Sequence, residues 1–236
     1  MRDNKMVKWE IFHALNIPEG IPFFVRLDGD NFSRICDKLH AEEPFDERIA
    51  RAIVNAVLSL PKVGFVPHMG YLASDEINLL FYKGVPYGGR IEKILSVLSG
   101  YISSEVALNF LEYFGIRTGV SFDARVLLIP KSEMTRYIIS RQKTLWNNCL
   151  VSYAVTVLKK KGFNAAEISE RMKGLSQSEL HEIILKEGKL NPSTLPNWQK
   201  NGILIMRDSK GYSVIWDAPV FTTEEGEHLL SRIIAE

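Results

Sequence analysis

GFVPHMGYLASDEINLLFY, residues 64–82, holds two apolar runs, Gly64 to Tyr71 and Ile77 to Tyr82, joined at Ala73-Ser74-Asp75-Glu76. A parallel pair of strands needs a crossover of about a dozen residues or more. The junction is far shorter, so the two runs form an antiparallel hairpin with acids at its turn.

Upstream of this hairpin, Ile21 to Leu27 (IPFFVRL) is a further buried strand, opening after Pro18 and Gly20 and stopping at Asp28-Gly29. A short helical pattern runs from Phe32 to Leu39. Asp46 then caps a longer helix through Leu60, with Ile49, Ala50, Ile53, Val54 and Val57 at helical spacing and Pro61 ending it. Downstream, a helix is predicted from about Gly89 to Tyr113, closed by Gly115, and a strand from Gly119 to Ile129, terminated by Pro130. The order is β-α-β-β-α-β, which makes the fold α+β with a ferredoxin-like antiparallel sheet and helices on one face. Polymerase palms and nucleotide cyclases share that sheet, so it does not by itself give a function.

Beyond Pro130 the pattern is helical from Ser132 through Lys161, again from Ala165 to Met172 and around Ser176 to Lys186. Pro192 to Val220 reads as a hairpin region with its turn at Asp208 to Gly211. The expected division is a palm-like catalytic domain over 1–130 and a C-terminal helical and hairpin region over 131–236 packed on it. The 236 residues are 46% hydrophobic and 24% charged, enough apolar content to fold throughout.

The formal net charge of +1 gives no sign of a nucleic-acid partner, which would require a local basic face. Cys36 and Cys149 lack metal or redox spacing and read as buried free thiols. The five histidines are scattered and are assigned no role. The N-terminal MRDNKMVKWE has no apolar signal region, and no apolar run reaches the roughly 20 residues that span a bilayer. A cytoplasmic protein with no membrane partner is expected.

Asp28 ends a buried strand and Asp75 tips the hairpin, and in this fold the two ends can be neighbours. Two carboxylates at adjacent strand ends suit Mg²⁺, which takes one or two carboxylates together with substrate phosphates. Gly29 can bring its carbonyl close with no side chain in the way. The loop Asp28 to Ser33 (DGDNFS) leads into a helix whose free N–H groups can hold a triphosphate, and Ser74 adds a hydroxyl. Taken alone, Asp-Gly after a strand and Ser-Asp-Glu in a loop also read as an ordinary turn and cap.

Five segments carry a resemblance that favours the catalytic reading. RLDGDNFSR (Arg26 to Arg34) resembles the R-I-D-G-R-x-F-H-R segment of tRNA-histidine guanylyltransferases, and YLASDEINLLF (Tyr71 to Phe81) resembles their G-x-S-D-E-Y-S-F-V-F segment. FDARVLLIP (Phe122 to Pro130), SRQKTLWNN (Ser140 to Asn148) and LPNWQKNGILI (Leu195 to Ile205) are similar to further segments in the same order. The resemblance implies a palm in which Asp28 and Asp75 are catalytic and, with the Gly29 carbonyl, hold two Mg²⁺ ions. It implies a nucleotide site made of Asp28, Gly29, Asp30, Asn31, Phe32 and Ser33 with Ser74 and Asp75, ATP or GTP as activating substrate, and a tetramer. The implied reaction activates a 5′-monophosphate tRNA end with a nucleotide. The 3′-hydroxyl of an incoming nucleoside triphosphate then attacks that end, extending the tRNA in the 3′-to-5′ direction.

The sequence departs from that pattern. Asp30 and Ser33 stand where Arg and His are usual, and Glu43 where a phosphate-contacting Lys is usual, with Lys38 near it in sequence. Leu145-Trp146 replaces a His-Ile pair that takes part in anticodon recognition, which makes the chain similar to archaeal and bacterial guanylyltransferase-like proteins associated with template-directed 5′-end repair. Arg136, Arg141, Asn147 and Asn148 remain as tRNA-contacting candidates, with Lys143 on the same helix. Lys159, Lys160 and Lys161 serve either phosphates or a solvated helix end. Trp146 suits core packing or base stacking equally. Two rivals share the sheet: a palm-type nucleotide cyclase, for which Gly88-Gly89-Arg90 lacks the acids of a GGDEF-like signature, and a non-catalytic RNA-binding protein, against which Asp28, Gly29 and Asp75 stand.

Overall fold

The computed structural model describes residues 9–82 and 84–235. The reading of the N-terminal MRDNKMVKWE rests largely on Met1 to Lys8, which lie outside the described residues. The strand order is β4-β1-β3-β2-β5-β6, antiparallel throughout. Its first four members, β1 (Phe23–Gly29), β2 (Met69–Ala73), β3 (Glu76–Phe81) and β4 (Phe122–Leu127), form the ferredoxin-like unit. The expected α+β architecture is the observed one.

Strand β1 begins two residues later than its apolar run and continues through Asp28 and Gly29, because β4 supplies partners there: Asp28 faces Asp123 and Gly29 faces Phe122. Strand β2 begins beyond Pro67, which has no N–H to give a ladder. The hairpin closes on a two-residue turn, with Ala73 paired to Glu76. Ser74 takes φ 62, a left-handed conformation more usual for glycine.

Helices α1 (Phe32–Leu39), α2 (Glu47–Ser59) and α3 (Ile91–Phe114) cover one face. Asp46 caps α2 as expected, accepting from Arg48 N at 2.9 Å. Along α3 the stripe Ile94, Leu98, Ile102, Val106 and Phe110 is buried at helical spacing. This helix corrects one expectation: with 24 residues and a hydropathy of 1.4, it is long and apolar enough to cross a membrane by length and composition. Its buried stripe packs against α2 and β1 residues within one core, while Leu108 and Leu111 on the same helix are exposed.

The C-terminal region covers the second face. Helix α4 (Lys131–Lys160) lays Met134, Ile138 and Leu145 on Phe24, Met69 and Leu80, beside Leu230 and Ile233 of α8 (Glu224–Ala235). Helices α5 (Ala165–Met172) and α6 (Gln177–Glu182) pack on the far half of α4, with Leu150, Ala154, Leu158, Ile168 and Ile184 as their own small core. A four-residue helix, α7 (Asn197–Lys200), precedes the last two strands, β5 (Ile203–Asp208) and β6 (Gly211–Ile215). The hairpin read in the sequence extends the main sheet by pairing β5 with β2, Leu72 opposite Ile203.

Gln142 ties these parts together. It is buried on α4, donates to the carbonyls of Asn201 and Pro219 at 3.0 Å each, and accepts from Phe221 N at 2.7 Å. Gln142→Leu leaves buried backbone groups without that partner, at a cost of about 1–3 kcal/mol per group. Urea denaturation is expected to show a loss of about 2–4 kcal/mol, whereas the exposed neighbour Lys143→Ala should change stability by less than about 0.5 kcal/mol.

Candidate active site

Antiparallel pairing of Leu27 with Ile77 continues the register so that the ends of β1 and the β2–β3 turn meet at one edge of the sheet. Alternation then sends neighbouring side chains to opposite faces. Phe24, on the same side of β1 as Arg26 and Asp28, packs toward α4, while Leu27 packs toward α2 and α3. Glu76 also faces α4, and Asp75 lies against Gly29. A Cβ on Gly29 would stand 3.1 Å from Asp75 Oδ2 and 2.5 Å from a Phe32 ring carbon. Glycine is therefore required at 29 by close approach, independently of any left-handed backbone.

Asp28, Ser74, Asp75 and Glu76 line one cavity of about 400 Å³, whose other wall is Arg141, Leu145 and Asn148 of α4. A second cavity of about 410 Å³ adjoins it, sharing Phe45, Ser74, Asp75 and Ser152 and bounded by Phe32 and Ser33 of α1. Burial, opposed by a backbone hydrogen bond and reinforced by the charges of Asp28 and Glu76, raises Asp75 to about 6. Asp28 is raised by burial and then by Glu76 and Asp123, against the pull of Arg26 and Arg125. Asp75 is thus held where a negative charge is poorly tolerated, Asp28 less so because it is exposed and Arg26 and Arg125 act on it, and a divalent cation would relieve both.

Among the described residues, no three His, Cys, Asp or Glu side chains gather around one point. Donors beyond Asp28 and Asp75 would have to be backbone, water or phosphate oxygens, the set that Mg²⁺ prefers. The residues therefore fit Mg²⁺ bound together with a phosphorylated substrate.

Glu76 is taken up elsewhere. Arg141 Nε donates to its Oε1 at 2.8 Å, and a second guanidinium N–H donates to Oε2. Asn78 Nδ2 donates to Glu76 Oε1 at 2.8 Å and Tyr137 Oη donates to Asn78 Oδ1 at 2.6 Å. The sequence reading offered Arg141 to tRNA phosphates, and the structure holds it in this buried pair, 22% of its side chain exposed. Its guanidinium fork closes on the Glu76 carboxylate, so the motif around Arg141 joins α4 to the hairpin.

The remaining candidates are placed as follows. Asp30 and Asn31 are exposed and bonded to each other, Asn31 Nδ2 donating to Asp30 Oδ1 at 2.9 Å, and neither lines the two cavities. Phe32 is mostly core, its ring tilted onto Phe110 and Phe122. Arg136 is exposed and pairs with Glu133 at 3.4 Å. Asn148 lines the first cavity; Asn147 does not, accepting instead from Gln177 Nε2 at 3.4 Å. Leu145 is 3% exposed, and Trp146 packs edge-on to His181, so the aromatic ring belongs to the α4–α6 contact. Cys36 and Cys149 are pushed up to about 11 and about 12 by burial and stay thiols.

Lys159, for which the sequence leaves open phosphate contact or a solvated helix end, is drawn into the site. It lines the second cavity and pairs with Glu43 at 2.8 Å. Nothing in the sequence ties Glu43 to Lys159, more than a hundred residues away.

A family model described as tRNAHis guanylyltransferase matches residues 3–130. An uncharacterised protein of Acanthamoeba polyphaga mimivirus is 29% identical, over 86% of this chain and 76% of that protein. A probable tRNA(His) guanylyltransferase of Mus musculus is 23% identical over 77% of this chain, which spans less than two thirds (63%) of that relative. Among solved structures, a bacterial tRNA(His) guanylyltransferase-like protein in complex with ATP superposes with a TM-score of 0.83 at 23% identity, covering 99% of each chain. That likeness is one of fold.

The raised Asp75 sets a pH dependence. Its folded value of about 6 lies above the ordinary carboxylate value of about 3.9. The stability it contributes is therefore complete below pH 4 and is lost as the pH rises through about 6. In EDTA, Asp75→Asn should melt above the wild type at pH 8, and the gap should close as the pH falls from about 6 toward about 4. Added Mg²⁺ should raise the wild-type melting temperature and leave the variant's nearly unchanged.

Proposed function

The chain belongs to the tRNAHis guanylyltransferase family of nucleotidyltransferases, and from that membership we propose that it adds nucleotides to the 5′ end of a tRNA in the 3′-to-5′ direction. The observation that carries this reading is that Asp28 and Asp75 line one cavity together, and that Asp75 also lines the cavity adjoining it. A reaction that joins an activated RNA end to a nucleotide needs two phosphorylated ligands at one pair of carboxylates.

Asp28, Asp75 and the Gly29 carbonyl would hold two Mg²⁺ ions. When bound, these would lower the pKa of the attacking hydroxyl and neutralise charge on the phosphoryl oxygens. The chain's own contribution is positional. The β1 end and the hairpin turn orient the two carboxylates, and Gly29 keeps the space between them clear. Ser74 and Ser33 offer hydroxyls to phosphate oxygens, and the first turn of α1 has free N–H groups facing the second cavity. The Glu76–Arg141 pair withdraws the third carboxylate from the site, so the two remaining acids define it. ATP or GTP is the proposed activating nucleotide, and a tetramer the proposed assembly.

Repair of the 5′ end directed by the opposite acceptor strand fits this chain better than anticodon-dependent guanylylation. Leu145 is apolar and buried, so it can neither donate to nor accept from a base edge, and Trp146 is engaged with His181. Asn147 and Asn148 are exposed on the same helix and remain proposed tRNA contacts, with Arg136 and the partly exposed Arg141.

The test is incubation with a 5′-truncated, 5′-monophosphate tRNA, Mg²⁺, ATP and each nucleoside triphosphate in turn. Asp28→Ala or Asp75→Ala should abolish addition with the circular dichroism spectrum unchanged, and near-native turnover in either variant would overturn the two-carboxylate reading. Changing the base opposite the gap should change which nucleotide is added. Swapping the anticodon should alter the rate by less than about tenfold, or about 1.4 kcal/mol; a larger effect, with nucleotide choice indifferent to the template, would return the chain to anticodon-dependent action.

A further inference from the structure

The second cavity presents an electrostatic problem. Among the described residues lining it, the carboxylates of Asp37, Glu42, Glu43, Asp46 and Asp75 face a single positive side chain, Lys159. A polyphosphate entering such a space meets like charge on every wall except where α4 passes, since two charges of one sign a few ångströms apart repel strongly at the reduced dielectric of a cleft. Asp46 is already occupied, bonded to Arg48 and to the backbone N–H of Glu42. Asp75 belongs to the carboxylate pair. Among these lining residues Lys159 alone can offer a cation to phosphate, and it comes from α4, whereas Phe32 and Ser33 come from α1.

We propose that Lys159 is the phosphate-binding cation of the nucleoside triphosphate site, and that Glu43 holds it beside the cavity and yields it to the ligand. The inference rests on the reading of this cavity as a nucleotide site. The two side chains are about half exposed, 50% for Lys159 and 45% for Glu43, and a solvent-facing ion pair of this kind is readily exchanged for a stronger partner. An ammonium on a four-carbon stem is a mobile point charge with three donors, able to leave one carboxylate for a phosphate oxygen without a change in the backbone. The α1–α2 segment brings Glu42 and Glu43 to this cavity, and the positive charge is supplied from α4.

Equilibrium binding of Mg·ATP and of adenosine, which lacks the phosphates, tests this in the full chain. Lys159→Ala should weaken Mg·ATP by about tenfold or more, the effect of removing a charge-assisted hydrogen bond, and leave adenosine affinity unchanged. Lys159→Arg should retain most of the ATP affinity. The double variant Lys159→Ala with Glu43→Lys should recover much of it, because the cation returns from the facing segment; a structural role for Lys159 would give no such rescue. Equal ATP affinity in wild type and Lys159→Ala, or parallel losses for ATP and adenosine, would overturn the proposal while leaving the nucleotide site intact. A wild-type protein with no affinity for Mg·ATP would overturn that reading and this one together.

Discussion

Arg26 opposite Asn78 and Leu27 opposite Ile77 set the register on which the rest of the structure depends. A slip of one residue would send Asp28 toward α2 and α3 and put Leu27 against α4, reversing every side chain on the strand. The register is secured by burial on both faces: Phe23, Val25 and Leu27 fill one core, and Phe24 fills the other. Only with β1 so fixed does Gly29 come against Asp75, and a side chain at 29 would press on the Phe32 ring and the Asp75 carboxylate.

That closeness concentrates negative charge. Asp28, Asp75 and Glu76 stand together at one sheet edge, and the first two are raised in pKa chiefly by burial. The chain answers from α4 at two points. Arg141 closes on Glu76 within a satisfied polar network through Asn78 and Tyr137, and Lys159 reaches the adjoining cavity five turns further along. A single helix packed on the second face of the sheet therefore supplies these two cations, while Arg26 and Arg125 of the sheet itself act on Asp28. A formal net charge of +1 for the whole chain is uninformative about such a site, since what matters is which few charges the packing brings together.

Helix α4 depends in turn on the C-terminal hairpin. Gln142 binds the backbone around Asn201, Pro219 and Phe221, and Tyr71 Oη donates to the Asn201 carbonyl at 2.9 Å. Strand β5 continues the sheet beyond β2, so the region that reads in sequence as an appended lobe shares the sheet with the palm-like unit. The first four strands by themselves would leave Phe24, Met69 and Leu80 uncovered, and α4 and α8 close that face.

From the sequence alone came the α+β order, the hairpin with acids at its turn, the Asp46 cap, most helix spans to within two or three residues, and the pairing of Asp28 with Asp75. These follow from local rules: hydrophobic period, the shortness of the 73–76 junction, turn and capping residues, and the alternation of strand faces. The terminal helix over 224–235 and the membership of β5 and β6 in the main sheet came only from the folded chain, because strand partners distant in sequence leave no local periodicity. Tertiary structure also decided the partners of charged residues. Arg141 reads as a phosphate ligand in sequence, and the folded chain pairs it, partly buried, with Glu76. Lys159 reads in sequence as either a phosphate ligand or a solvated helix end, and it lines a cavity together with Ser33. A side chain's charge is written in the sequence, but its partner is set by which helix face packs where, and that is a property of the assembled core.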